Sequence, residues 1–133
     1  MYINSDFSRL EINLNGCLEN YRYFRSKLED KTKLLVLVKA NAYGHGLVPV
    51  ARHLQASGAG NLGVAFVEEG IALREAGIDV PILVMGGIFG PQVAQFIRHD
   101  LQLTVSSLSK LRQVEDAAAA LGRRARVHLK IDT

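Results

Sequence analysis

Apolar and polar positions follow two rhythms along this chain. Leu14, Cys17, Leu18, Tyr21, Phe24 and Leu28 recur at three- and four-residue spacing, one face of a helix, and Asn13 stands where its N-cap belongs. Just before it, residues 9–13 alternate and predict a short strand. Leu34 to Val38 is an unbroken apolar run that ends on Lys39, and it predicts a strand over 34–39. Leu47, Val50, Ala51 and Leu54 share a second helical face, with Pro49 in the first turn, where a missing N–H is tolerated. Further strands are expected at 62–66, 81–85, 101–105 and 127–131. Helices are expected at 67–76, from about 91 to 98, and from 108 to 121, the last capped by Ser106 or Ser107. Gly77 and Gly122 are placed to end two of these helices.

Strands alternating with helices in this way imply a parallel sheet with right-handed crossovers. Two architectures accept the pattern. An open flavodoxin-like sheet is complete at about this length. An eight-stranded barrel typically needs ~250 residues, so this chain would hold only part of one. Length favours the open sheet; the last strand favours the barrel. There His128, Lys130 and Asp132 share one face, and Val127, Leu129 and Ile131 the other. A central open-sheet strand wants apolar residues on both faces, whereas a barrel strand can turn polar groups into the lumen. The chain also stops after that strand with no helix to cover it.

Composition changes this picture little. With 133 residues, 48% hydrophobic and 22% charged, the chain reads as one ordinary globular domain. The formal charge of +3 is spread out, and its densest run, Arg123-Arg124-Ala125-Arg126, falls in a helix-to-strand connection. A solvated loop is expected there, and no broad basic face with aromatics points to nucleic acid. One cysteine excludes an internal disulfide and fits a reducing compartment. Cys17 lies on an apolar stripe and is expected to pack in the interior. There is no signal-peptide pattern, and no apolar run approaches the ~20 residues of a membrane span. A cytoplasmic protein without membrane contact is the expectation. No ligand spacing suggests a metal site.

Lys39 is the first candidate for chemistry. An ammonium closing an apolar strand is expensive unless it is used, and burial frees a lysine amine to act as nucleophile or base. The carboxyl end of a strand is also where barrel enzymes keep their sites. Gly44 and Gly46 make a turn that opens a helix, and such a turn is expected to offer backbone N–H groups to a phosphate. An amine beside an anion site suggests a Schiff base with a phosphorylated aldehyde. Tyr43 lies in the same turn, either donating its phenol to a phosphate oxygen or packing over the rim. An inward-facing Lys130 needs a counter-charge, for which Asp132 stands nearby. His45 reads as a loop histidine, His53 and His99 as surface residues, and Glu68 and Glu69 as an acidic helix start that suits the dipole.

The stretch Val38-Lys39-Ala40-Asn41-Ala42-Tyr43-Gly44-His45-Gly46 resembles, over nine consecutive residues, the cofactor-binding signature of alanine racemases, the pyridoxal-phosphate enzymes built on a barrel. Leu10 to Leu14 with Asn20 and Tyr21 resembles that family's N-terminal strand and helix. Val127 to Thr133 resembles its fifth-strand motif, which continues in the family into Gly-Met-x-Arg-x-Gly. The resemblance covers essentially the whole chain. It implies an α/β fold, a parallel (β/α)8 TIM-type barrel of which this chain holds about the first five strands, with the C-terminal β domain absent. It implies pyridoxal 5′-phosphate as cofactor, Lys39 as the residue of the internal aldimine and the base for the D-enantiomer, and Tyr43 on the cofactor phosphate. Lys130 becomes a candidate for carbamylation, which in some members holds an arginine against the cofactor's ring hydroxyl. The complete enzyme would be a homodimer interconverting L- and D-alanine for peptidoglycan synthesis. Its second base would be a tyrosine of the partner's C-terminal domain, so this chain alone is expected to be inactive. Two other readings stand beside it, a pyridoxal-phosphate-binding barrel protein without racemase activity and a small open-sheet binding module. Neither accounts for Asn41 to Gly46. Alanine, serine or a broader substrate range is left open.

Overall fold

The structure, a computed structural model, describes residues 10–131. Its elements are α1 (Leu14–Ser26), β1 (Val36–Leu37), α2 (Lys39–Tyr43), α3 (Leu47–Ala56), β2 (Leu62–Val64), α4 (Val67–Glu75), β3 (Ile82–Val84), a 3-10 turn (Gly90–Gln92), α5 (Val93–Arg98), β4 (Gln102–Val105), α6 (Leu108–Ala120) and β5 (Val127–Leu129). The sheet runs β1-β2-β3-β4-β5, every neighbouring pair parallel. That order decides between the two architectures. A doubly wound sheet reverses its strand order and carries helices on both faces. Here the order never reverses, so right-handed crossovers put the helices on one face and leave the other bare. Five successive strands of a barrel have this form.

The register sorts the side chains. Val36 pairs with Leu62, Leu62 with Ile82, Val84 with Leu103, and Leu103 with Val127. These residues share the helix-facing side, and of them Leu62, Ile82, Val84 and Leu103 are fully buried, as are Leu73, Ile78 and Phe96 from the covering segments. Each such side chain contributes about 1.5–3 kcal/mol by leaving water. The other side of the sheet, which would line a barrel lumen, carries Leu35, Leu37, Gly63, Leu83, Gln102, Thr104 and His128, none of them buried except Gly63. A Cβ at Gly63 would come within 2.6 Å of Leu37 Cδ2, the mobile end of a half-exposed side chain.

Most expected elements form where the pattern put them, with shorter strands. Asn13 caps α1, its Oδ1 accepting the Gly16 N–H at 3.1 Å, and Ser107 caps α6 by accepting the Lys110 N–H at 3.3 Å. Three expectations need correction. Residues 10–13 form no strand, and Arg9 lies outside the described residues. Cys17 is only half-buried, and Phe24, on the same stripe, is 62% exposed. Both line an open groove of about 530 Å³ between α1 and the outer side of β1, where no further described strand lies. His53 and His99 are half-buried, not superficial; His53 Nε2 is buried without a hydrogen-bond partner. Arg123, Arg124 and Arg126 are exposed, as expected of a solvated loop.

Arg74 locks the strand starts. Its guanidinium donates to the carbonyls of Ile78 (2.7 Å), Val80 (2.8 Å), Asp100 (3.0 Å) and His99 (3.1 Å), joining the segments that lead into β3 and β4. Burial lowers its pKa below the usual arginine value, against the pull of Asp100 and Asp79.

Candidate functional site

At the carboxyl end of β1 the backbone reverses its hand. Ala40 (φ 51°, ψ 52°), Asn41 (φ 56°, ψ 42°) and Ala42 (φ 51°, ψ 47°) are all left-handed, and Tyr43 follows at φ 55°. The segment α2 is therefore one left-handed turn built without glycine. Left-handed backbone costs L-residues about 1–2 kcal/mol each, so four of them carry roughly 4–8 kcal/mol. The residue types keep this as low as it can be. Alanine has the smallest Cβ, asparagine tolerates this region better than most, and Gly44 and Gly46, at φ 91° and 94°, take the exit.

Contacts outside the turn hold it. Val38 is fully buried and donates its N–H to Gly63 O at 2.9 Å, while its carbonyl accepts the Ala42 N–H at 2.8 Å. The Ala42 side chain is buried in the core beneath the turn. Asn41 Oδ1 accepts the N–H of Leu47, the first residue of α3, at 2.8 Å. Glu69 reaches across from α4: its Oε1 accepts the Ala40 N–H at 2.6 Å, and its Oε2 accepts Ala65 N–H at 2.8 Å and Phe66 N–H at 3.1 Å.

This places Lys39 just past the carboxyl end of β1, as the first residue of α2, with its side chain half-buried. Tyr43, about one turn on, is 60% exposed and lies over the same rim as the groove beside α1. His45 is exposed and its Nδ1 engages Ala42 O at 2.9 Å, a loop histidine as expected. The phosphate cradle expected from the glycine turn does not form. Gly44 N–H donates to Ala40 O and Asn41 O, His45 N–H to Ala42 O, Gly46 N–H to Asn41 O, and Leu47 N–H to Asn41 Oδ1. Left-handed backbone folds the turn onto itself and consumes these donors. The turn therefore offers an amine and a phenol at one strand end, a pair suited to a ligand carrying both an aldehyde and an anion.

At the other end of the sheet, Lys130 follows β5 in phase with His128, is exposed, and donates its N–H to Val105 O at 2.8 Å. His128 Nε2 engages Gln102 Oε1 at 2.8 Å on the same face. Asp132, the expected counter-charge for Lys130, lies outside the described residues. Lys39 and Lys130 thus follow the sheet's two outermost strands, β1 and β5.

Residues 12–133 match the alanine racemase N-terminal domain family. The chain belongs to that family. Alanine racemase 1 of Oceanobacillus iheyensis is 44% identical over 124 residues, which are 93% of this chain and 33% of that protein. The alanine racemase of Synechocystis is 44% identical over 125 residues, covering 93% of this chain and 34% of its own length. Among solved structures, the Clostridium difficile alanine racemase in complex with cycloserine superposes with a TM-score of 0.89 at 38% identity, over 91% of this chain and 32% of that one. A histidine racemase from Leuconostoc mesenteroides superposes with a TM-score of 0.79 at 23% identity, a likeness of fold alone. The chain therefore spans about a third of the length of the alanine racemases it matches.

Within this alanine racemase domain, sequence reasoning missed one residue of the site. Glu69 looked like an ordinary acidic helix start, and half of that reading holds, since it accepts the Phe66 N–H at the start of α4. Its bond to the lysine-bearing turn spans 29 positions of chain, which no local pattern signals. Among the described residues no group of three or more His, Cys, Asp or Glu side chains is placed to hold a metal ion, and no helix is long and apolar enough to cross a membrane.

Proposed function

We propose that this chain is the lysine-bearing part of a pyridoxal-phosphate-dependent alanine racemase, whose complete form interconverts L- and D-alanine for peptidoglycan synthesis as a cytoplasmic homodimer. The observation that supports this most strongly is the placement of Lys39 at the carboxyl end of β1, followed by a left-handed turn that leaves Tyr43 exposed at the rim. The residues fit the cofactor: a primary amine for its aldehyde and a phenol for its phosphate. Pyridoxal phosphate, when bound, supplies an electron sink that makes the α-proton of an amino acid acidic.

In this reading Lys39 holds the cofactor at rest. With substrate present, its free amine takes the proton from the α-carbon, or returns it, on one face, and the face it serves is that of the D-enantiomer. Tyr43 donates its hydroxyl to the phosphate and fixes the cofactor's tail. Racemisation needs a second base on the opposite face, and about two-thirds of each matched racemase lies beyond the matched region. The 133-residue chain alone is therefore expected to be inactive. Lys130 is proposed as a carbamylation site of the complete enzyme; a carbamate signal at Lys130 by carbon-13 NMR in labelled bicarbonate would support it, and an unmodified amine at neutral pH would count against it.

The test is covalent capture. The purified chain is incubated with pyridoxal phosphate, reduced with borohydride, digested and mapped by mass spectrometry. Modification concentrated on Lys39 supports the proposal. Modification scattered over surface lysines such as Lys31 and Lys33 would mean the turn alone does not recognise the cofactor.

A further inference from the structure

Glu69 carries a role that neither the lysine motif nor the helix cap accounts for. Three backbone N–H groups from two strand ends converge on its two carboxylate oxygens: Ala40 after β1 on Oε1, and Ala65 and Phe66 after β2 on Oε2. The Ala40 N–H belongs to the peptide that joins Lys39 to the left-handed turn. Holding that N–H holds the plane of the peptide, and so the ψ angle of Lys39. It also pins the first of the four left-handed residues, the point at which the chain must leave the strand with the opposite hand. The bond is short and charge-assisted, the stronger class of hydrogen bond.

We propose that Glu69 is the positioning residue for Lys39: its carboxylate bridges the ends of β1 and β2 and sets the direction from which the lysine amine meets its ligand. This rests on the reading of Lys39 as the cofactor lysine. A carboxylate is required because only it offers an acceptor on both sides. Glutamine has one acceptor oxygen and one NH2. In Glu69→Gln that oxygen keeps the two donors of Ala65 and Phe66, and the NH2 is left facing the Ala40 N–H, donor against donor. Glu69→Gln therefore keeps the cap of α4 and releases the lysine turn, which makes it the discriminating variant.

Two readouts are taken on the whole chain, parent and Glu69→Gln. The first is amide hydrogen exchange by NMR without cofactor. Protection of the Ala40 amide is expected to fall about tenfold or more, the size of one charge-assisted hydrogen bond. Protection at Ala65, Phe66 and the amides of β3 and β4 is expected to stay as in the parent. The second is the share of borohydride-fixed pyridoxal phosphate found on Lys39 relative to Lys110 in the same sample, which should fall while labelling of Lys110 is unchanged. An Ala40 amide as protected as in the parent would overturn the proposal. So would a freed Ala40 with Lys39 labelling undiminished, or a general loss of protection in β3 and β4, since a positioning residue leaves the sheet intact. Unselective labelling already in the parent chain would count against the cofactor reading instead, and the exchange data would then decide alone whether Glu69 holds the turn.

Discussion

Asn41 is the residue through which the left-handed turn can be tested most directly. It sits at φ 56° and ψ 42°, and its Oδ1 accepts the first N–H of α3 at 2.8 Å. Three substitutions separate these two duties. Asn41→Ala removes the acceptor, which as the loss of a helix N-terminal partner costs about 1 kcal/mol at this exposed position. It also places an ordinary Cβ in left-handed backbone, worth about another 1 kcal/mol. Asn41→Gly loses the same acceptor and carries no Cβ, but gives up about 0.5–1 kcal/mol of unfolded-chain entropy while relieving the steric penalty. The expected losses are about 2 kcal/mol for alanine and about 1 kcal/mol for glycine. Asn41→Asp keeps the acceptor and should stay within about 0.5 kcal/mol of the parent. The order of alanine and glycine is the sharp result. In a right-handed helix glycine is the worse residue by about 0.8–1.0 kcal/mol, and here the order reverses. Urea unfolding of the four chains, with m held common, reads these differences. Alanine as stable as glycine, or more so, would refute the strain assigned to this turn.

Other consequences follow from particular contacts. Gly86→Ala should lose about 1–3 kcal/mol in urea unfolding, because its Cβ would overlap the backbone oxygen of Ala65, which already accepts the Gly86 N–H. Gly63→Ala should lose less than about 1 kcal/mol in the same assay, since its Cβ would crowd only the end of the Leu37 side chain, 38% exposed and free to swing aside, and would touch Leu35 at ordinary contact distance. Arg74→Lys should lower the melting temperature, with a loss of about 1–3 kcal/mol: one ammonium cannot serve four carbonyls spread over two connections. An unchanged melt would mean that those carbonyls are satisfied by water. The helix-facing side of β5 is uncovered, with Leu129 67% and Ile131 74% exposed, so the isolated chain should self-associate. Leu129→Lys should reduce the mass seen by sedimentation, and an equal mass for both chains would rule that face out as the cause.

The sheet was legible in the sequence because a parallel strand keeps at least its helix-facing side apolar, and five segments with such a side alternate with helical patterns. Their lengths were not. The β1 ladder pairs only Val36 and Leu37 with β2, because the apolar run continues into a turn that leaves the sheet. That Lys39 and Tyr43 stand together at a strand end was legible because they lie within one contiguous segment. The hand of the turn was not, since apolar spacing is the same for helices of either hand. The expected phosphate cradle failed for the same reason: glycines predicted an open loop, and a left-handed turn closes it by using its own N–H groups. Glu69 escaped because its local environment already explained it. An acidic residue in the first turn of a helix needs no distant partner, and only the folded chain brings Ala40 to it. Burial of His53 Nε2 was likewise a matter of packing that helical spacing does not register.

The strain in the turn also explains why nine residues are so informative. Roughly 4–8 kcal/mol of left-handed backbone is comparable with the entire stability of an ordinary domain, about 5–15 kcal/mol. Such a turn cannot persist on its own. It needs alanines for their small Cβ atoms, one of them also to fill the core, an asparagine for its acceptor, and glycines at the exit. It then needs Gly63 and Glu69 from the next unit to hold its entry, at Val38 and Ala40. A peptide carrying residues 34–50 alone should therefore show no left-handed signature by NMR, whereas the whole chain should keep positive φ at Ala40 to Tyr43. A peptide that adopted the turn unaided would mean that local preference, not the contacts to β2 and α4, sets the hand of the backbone behind Lys39.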